Sequence, residues 1–316
     1  MRTDVWRKRR SQKRPLLLAA GIILAVSAFA QHVPLSPLSI PVYHPQVINP
    51  AYTGSKDFIN ITLTSKVLKS PANQMLHVNH RLIDPSGFFS KVGVGGYAFR
   101  EQLNLSSNGG IAAALAYHQA LDDAQVHNIS GGLALKGIFN IPRNVNESVN
   151  DTATSSFNPN LDAGIYYYGP NAFAGLSATT LFGTRLEGEL TEQSETYIPR
   201  MYHLYGGYKF LLSRNNAIVL EPSVLVSVTD STIAEAHNHI TPYLKIYLQN
   251  FYIGTYMKSV DIFALFFQYQ FPRFHTGLFL EFPRVGFLND DNIIFELSLG
   301  VNLGSHNPKF TEHRHW

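Results

Sequence analysis

The 316-residue chain has no cysteine, 25 Lys and Arg against 22 Asp and Glu, 15% charged residues and 12% aromatic ones. Without cysteine there are no disulfides, no thiolate metal sites and no lipid-anchored N-terminus. The charged share is well under the usual ~25%, so something other than water must face much of the surface. The formal charge of +3 turns mildly negative once a basic leader is removed, which leaves no reason to expect a nucleic-acid partner.

Residues 1–30 read as a secretory signal: Arg2, Arg7, Lys8, Arg9, Arg10, Lys13 and Arg14 precede an apolar run at 16–28. Ala28 and Ala30 supply the small residues that signal peptidase needs, so cleavage is expected between Ala30 and Gln31. A retained anchor would need ~20 apolar residues, more than this run offers. Residues 31–57 carry Pro34, Pro37, Pro41, Pro45 and Pro50, which cannot supply ladder hydrogen bonds regularly. This stretch is expected to be an extended arm, or a plug, ahead of a barrel.

Period-two patterning follows. Ile59, Ile61 and Leu63 alternate with Asn60, Thr62 and Thr64, and Ile111, Ala113, Leu115 and Tyr117 with small residues and His118. Ile293, Phe295, Leu297, Leu299, Val301 and Leu303 alternate with Ile294, Glu296, Ser298, Gly300 and Asn302. About fourteen such segments are expected, near 58–65, 75–82, 90–100, 110–121, 126–139, 161–168, 171–183, 201–212, 216–228, 239–248, 250–257, 260–271, 275–283 and 292–303. Tight turns such as Gly169-Pro170 and Gln249-Asn250 mostly take turns with long polar loops near 66–74, 101–109, 140–160, 184–200, 229–238 and 284–291, the one exception being a short connection at Met257 to Ser259 where a long one is expected.

No later segment approaches eighteen uncharged apolar residues, so membrane residence would have to mean a closed barrel. The expected class is all-β: a transmembrane antiparallel up-and-down β-barrel of about 14 strands over 58–303, with a periplasmic or plug segment before it. A soluble sandwich also has short strands, but it gives no reason for loop lengths to alternate. The parity of that alternation puts both chain ends, including the tail 304–316, in the periplasm of a bacterial outer membrane. The loops at 140–160 and 184–200 are then the expected external contact surfaces.

No Gly-x-Ser-x-Gly elbow, Walker loop or His-Glu-x-x-His motif occurs, and no enzyme activity or cofactor is expected. Gly93-Val94-Gly95-Gly96 lies inside an alternating strand with no helix after it, so it is no dinucleotide fingerprint. His237 with His239, and His313 with His315, lack a carboxylate or cysteine partner at ligand spacing, and no metal site is assigned. Arg81, Lys136, Lys209, Glu221, Lys245, Glu281 and Glu296 mostly share the polar parity of their strands. A Lys or Arg facing lipid at mid-bilayer costs about 2–4 kcal/mol, so these residues are expected to face the lumen and pair there.

Asn49-Pro50-Ala51-Tyr52-Thr53-Gly54 stands just before the first strand, and here the chain resembles the PorP/SprF family of type IX secretion and gliding proteins. The family shares a signal peptide, an early Gln-x-Pro stretch, matched at Gln31 to Pro34, and an Asn-Pro-Ala-x-x-Gly motif, matched at Asn49, Pro50, Ala51 and Gly54. Further similarity lies at Val92-Gly93-Val94-Gly95, Leu220-Glu221-Pro222-Ser223 and Phe251-Tyr252-Ile253-Gly254. The resemblance implies an outer-membrane barrel, bathed in outer-membrane lipid, that supports export or surface retention of secreted adhesins. The implied partners are other type IX components, a periplasmic lipoprotein or a secreted adhesin. One departure is the end of the chain: members finish close to the last strand in an aromatic residue, whereas Leu303 is followed by Pro308 and a final Trp316. Either Trp316 is a displaced recognition end, or the tail reaches a periplasmic partner. The alternative is likeness to fatty-acid uptake barrels, which also carry an Asn-Pro-Ala in an N-terminal hatch and would imply uptake of hydrophobic small molecules. Those barrels are longer and have a longer hatch.

Overall fold

The computed structural model describes residues 40–56, 58–66, 73–84, 89–102, 106–142, 156–186, 196–213, 218–259, 262–271, 273–283 and 293–304. The expected cleavage site at Ala30 and Gln31, and the tail with His313 and His315, lie outside them.

Fourteen antiparallel strands close into one barrel. In chain order these are β1 (Ile59–Lys66), β2 (Asn73–Ile83), β3 (Phe89–Gln102), β4 (Ser106–Ala120), β5 (Asn128–Pro142), β6 (Ser156–Tyr168) and β7 (Ala172–Thr179). Then comes a strand in two pieces, β10 (Met201–Tyr208) and β11 (Phe210–Ser213). It is followed by β12 (Ile218–Thr229), β13 (Ile240–Leu248), β14 (Phe251–Ser259), β15 (Ile262–Gln270), β16 (Phe274–Pro283) and β17 (Ile294–Leu303). The short strands β8 (Thr184–Leu186) and β9 (Thr196–Ile198) form a separate ribbon in a loop. Each barrel strand pairs with its neighbours in sequence, and the cylinder closes where Leu63 of β1 meets Leu299 of β17. Closure leaves no edge, which is what a sheet in lipid requires.

The break between β10 and β11 has a local cause. The register that pairs Gly207 with Ser223 and Phe210 with Leu220 brings Pro222 opposite Tyr208, and proline has no N–H to give a ladder.

Side-chain parity sorts the two faces. Leu63, Leu115, Leu133, Ile165, Leu176 and Leu204 point outward and are about half exposed, an apolar belt that suits acyl chains. Their neighbours in sequence point inward, and Thr64, Tyr97, Asp162, Phe279, Glu281 and Glu296 are almost wholly shielded. An open, water-filled lumen would leave them accessible.

The short connections at 121–127, 169–171 and 249–250 fall at one end of the barrel together with Ile59 and Leu303, while the strand ends Gln102 with Ser106 and Ser259 with Ile262 come close in sequence at the opposite end. Besides 184–200, which holds the β8/β9 ribbon, two loops differ from expectation. The stretch at 101–109 is mostly strand, because Glu101 pairs with Asn108 and Gln102 with Ser107. The connection after β12 contains 3-10 turns over Ile233–His239, kinked at Glu235, which hold His237 and His239.

Of the expected arm at 31–57, the described part forms helical turns rather than an extended run: α1 (Ile40–Tyr43), α2 (Pro45–Ile48) and a 3-10 turn, Pro50–Tyr52. Their prolines favour this, because Pro45 and Pro50 each stand in the first turn of their element, where no N–H donor is needed.

Candidate functional site: the lumenal segment and the vestibule beside it

Residues 41–56 lie inside the barrel, and the Asn49 to Gly54 motif makes the closest contacts with the wall. Asn49 is fully buried and uses its whole side chain. Its Oδ1 accepts from the N–H of Ala51 at 2.9 Å, capping the 3-10 turn, while its Nδ2 donates to the Ile165 carbonyl on β6 at 2.9 Å. Pro50 starts the turn and Ala51, with no exposed surface, sits directly on β5. A Cβ added to Gly132 would lie 2.4 Å from the Ala51 nitrogen, and one added to Gly164 would lie 2.1 Å from Asn49 Oδ1. The wall therefore has no side chain where the motif touches it.

Wall side chains then fasten the segment's backbone. Ser130 Oγ donates to the Ala51 carbonyl at 2.7 Å, and Ser177 Oγ donates to the Ile48 carbonyl. His118 Nε2 donates to the Thr53 carbonyl at 2.8 Å. That tautomer leaves His118 Nδ1 to accept from Tyr168 Oη at 2.9 Å, and Tyr168 Oη in turn accepts from Arg81 Nη1 at 3.0 Å. Gly54, at φ +76°, donates its N–H to Asn79 and passes so close to β3 that a Cβ on Gly93 would lie 2.2 Å from the Thr53 oxygen.

Ahead of the motif, Gln46 Nε2 donates to the carbonyls of Val78 and Gly96 at 3.2 and 3.1 Å. Tyr43 Oη lies 2.9 Å from the Leu278 carbonyl and 3.0 Å from that of Phe267. His44 is fully buried, its Nδ1 3.0 Å from His77 Nδ1 and its Nε2 2.6 Å from Thr64 Oγ1. Burial, with a smaller contribution from His275, pushes the His44 pKa down to about 3.

The seven charged residues expected to face the lumen fall into separate groups. Lys136 reaches both Asp162 oxygens, at 2.8 and 3.0 Å, and Thr180 Oγ1 at 3.1 Å. Asp162 also accepts from the Thr180 N–H at 2.7 Å, so this pair has its hydrogen bonds met. Glu281 accepts from Tyr256 Oη at 3.2 Å, and Glu296 is buried on β17 opposite Lys66. Lys245 Nζ lies 3.3 Å from Glu221, which also accepts from Tyr247 Oη at 3.0 Å. Arg81, besides Tyr168, donates to the Ser90 carbonyl at 2.8 Å. Lys209, at the break between β10 and β11, lines a cavity.

That cavity holds about 210 Å³ at the short-turn end, and Lys56, Lys209, Glu221, Lys245, His77 and His275 are among its lining residues. Tyrosines from both the segment and the wall line it too: Tyr43, Tyr52, Tyr166, Tyr205, Tyr243 and Tyr252. It forms a vestibule with the lumenal segment as part of its wall.

The family model for the type IX secretion system membrane protein PorP/SprF matches residues 42–301, from the lumenal segment to the last strand. The chain belongs to the PorP/SprF family. Among curated proteins none matches. Solved structures with some likeness to this PorP/SprF member include a KdgM porin, at 10% identity over 78% of this chain and 98% of that one with a TM-score of 0.38. A TodX deltaS2S3 mutant monoaromatic hydrocarbon channel matches at 11% identity over 88% and 95% with a TM-score of 0.39. CdiB from Acinetobacter baumannii matches at 10% identity over 78% and 60% with a TM-score of 0.35.

Several residues that build the PorP/SprF lumen are hard to single out from sequence. Asp162 shares the polar parity of its strand, which was its one signal. His44, His77 and His118 are dispersed in sequence and carry no spacing signature, and Lys56 stands in a short irregular link.

Proposed function

We propose that this protein works in the bacterial outer membrane as an assembly component of the type IX secretion and gliding machinery. It supports export or surface retention of secreted adhesin-type proteins, with residues 41–56 as a plug and both termini in the periplasm. The observation that carries this reading is the filled lumen. Asn49, Ala51, Thr53 and their wall partners are buried across the barrel, so a secreted protein has no path through it, and the barrel acts by holding partners. The candidate partners are other type IX components, a periplasmic lipoprotein at the short-turn end and an adhesin at the long-loop end. The loop cores at 143–155 and 187–195 lie outside the described residues.

The transporter reading fits less well. Lys56, Lys209, Glu221 and Lys245 line the vestibule, and an alkyl chain entering it would desolvate these charges without pairing them.

Deletion of the gene tests the proposal. The expected outcome is loss of at least one adhesin from the cell surface, with co-purification of the tagged barrel recovering that adhesin or a periplasmic lipoprotein. An unchanged surface proteome together with a barrel that purifies alone would contradict it.

A further inference from the structure

Among the described residues, the vestibule lining carries more positive charge than its carboxylates neutralise. Lys56, Lys209 and Lys245 line it with Glu221, and Glu221 is already taken by Lys245 and by Tyr247 Oη. Among the described residues, Lys56 and Lys209 have no carboxylate within ion-pair reach; Lys56 Nζ stands only over the ring of Phe58, 5.7 Å from its centroid. Lys209 feels the attraction of Glu221, which it shares with Lys245, and the repulsion of both Lys245 and Lys56. An ammonium group in an enclosed space is costly unless paired, so two of them facing one cavity are an arrangement that an entering anion would stabilise.

The rest of the lining indicates what carries that anion. Tyr166 and Tyr205 are stacked, their centroids 5.6 Å apart and their planes at 19°, and both border the cavity. Tyr43, Tyr243 and Tyr252 add further ring edges and faces. Aromatic rings in offset or edge contact favour a flat apolar body. His77, His275, Asn60 and Gln268 offer neutral hydrogen-bonding groups around it.

We propose that the vestibule binds a small anion, a carboxylate or phosphate monoester carried on an aromatic body, with its charge between Lys56 and Lys209 and its ring among the tyrosines. Burial lowers the Lys56 pKa from its ordinary 10.5, and a bound anion would oppose that shift. The ligand enters from the short-turn end, because the lumenal segment and the side chains packed beyond it fill the other half. The site does not depend on the export role and is tested without it.

The test is calorimetric titration of the full chain in detergent with benzoate, phenyl phosphate and neutral benzamide. Both anions are expected to bind saturably, with benzamide about tenfold weaker or more, as loss of a charge-assisted contact implies. A tighter phenyl phosphate assigns a phosphate ligand, and a tighter benzoate assigns a carboxylate. Lys56→Gln and Lys209→Gln should each weaken anion binding about tenfold while keeping heat-modifiable gel migration, the sign of a folded barrel. Equal binding of benzamide, no saturable binding of either anion, or folded variants that bind like the parent would overturn the proposal. If a variant does not fold, the comparison of the anions with benzamide on the parent chain decides alone.

Discussion

At the residue scale, the short motif before the first strand has a separate task for each position. Asn49 caps its own turn and reaches β6, Pro50 needs no N–H partner, Ala51 fits against a bare strand, and Gly54 takes a left-handed turn beside β3. The fit against the wall makes a sharp prediction about glycine. Gly132→Ala places a methyl group where the Ala51 backbone stands, 2.4 Å away, and should destabilise docking by about 1–3 kcal/mol, the usual cost of overpacking. Gly131→Ala, one residue along and with nothing within 4 Å, should leave docking unchanged. Hydrogen exchange at the Ala51 and Thr53 amides distinguishes the two, and equal exchange in both variants would contradict the geometry. The buried Lys136–Asp162 pair makes a second prediction. Asp162→Asn leaves a shielded ammonium without its counter-charge and should cost about 3–5 kcal/mol in denaturant unfolding, whereas Lys136→Met with Asp162→Leu together should cost much less. A double variant as unstable as the single one would show that the pair is not the source of the effect.

At the element scale, the barrel strands were legible in the sequence, whereas the shape of the segment before them was not. Alternation exposes strands such as β1 and β17 because each has one face in lipid and the other in the lumen, two environments of opposite polarity. The segment at 40–56 has no such division. It is enclosed by protein on nearly all sides, and its prolines suggested extension when in fact they begin helical turns. Loop 101–109 misled for a related reason: its polar residues Glu101 and Asn108 continue the strands into the polar end of the lumen. The docked segment should also respond to pH. His44 is held neutral inside the barrel, with a pKa near 3, against an ordinary ~6.5 when undocked. Above pH 6.5 both states are neutral and docking is at full strength. Below it only the undocked state takes up the proton, so docking weakens as pH falls toward 3, by up to about tenfold per pH unit. Exchange of the Ala51 amide at pH 7.5 and pH 5 measures this, with faster exchange expected at pH 5 after correction for intrinsic rates. A His44→Gln variant should lose the part of that dependence that His44 carries, with His77 and His118, which also touch the segment, supplying the rest.

At the scale of the whole molecule, composition and loop lengths carried most of the architecture. Few charges, many aromatic residues and no cysteine fit an exported barrel, and the alternation of short and long connections placed Ile59 and Leu303 at the same end. Two features lay beyond the sequence. One is how the lumen is filled, because contacts such as His118 with Thr53, or Ser130 with Ala51, join residues that no local pattern relates. The other is the vestibule, whose lysines come from the link before β1, the break in the β10/β11 strand, and β13. The lumen's filling decides between a barrel that conducts and one that holds partners, and single-channel recording in planar bilayers tests that choice most directly. Purified, heat-modifiable protein should insert and remain electrically silent at neutral pH. Steady porin-like conductance from the unaltered chain would contradict the account.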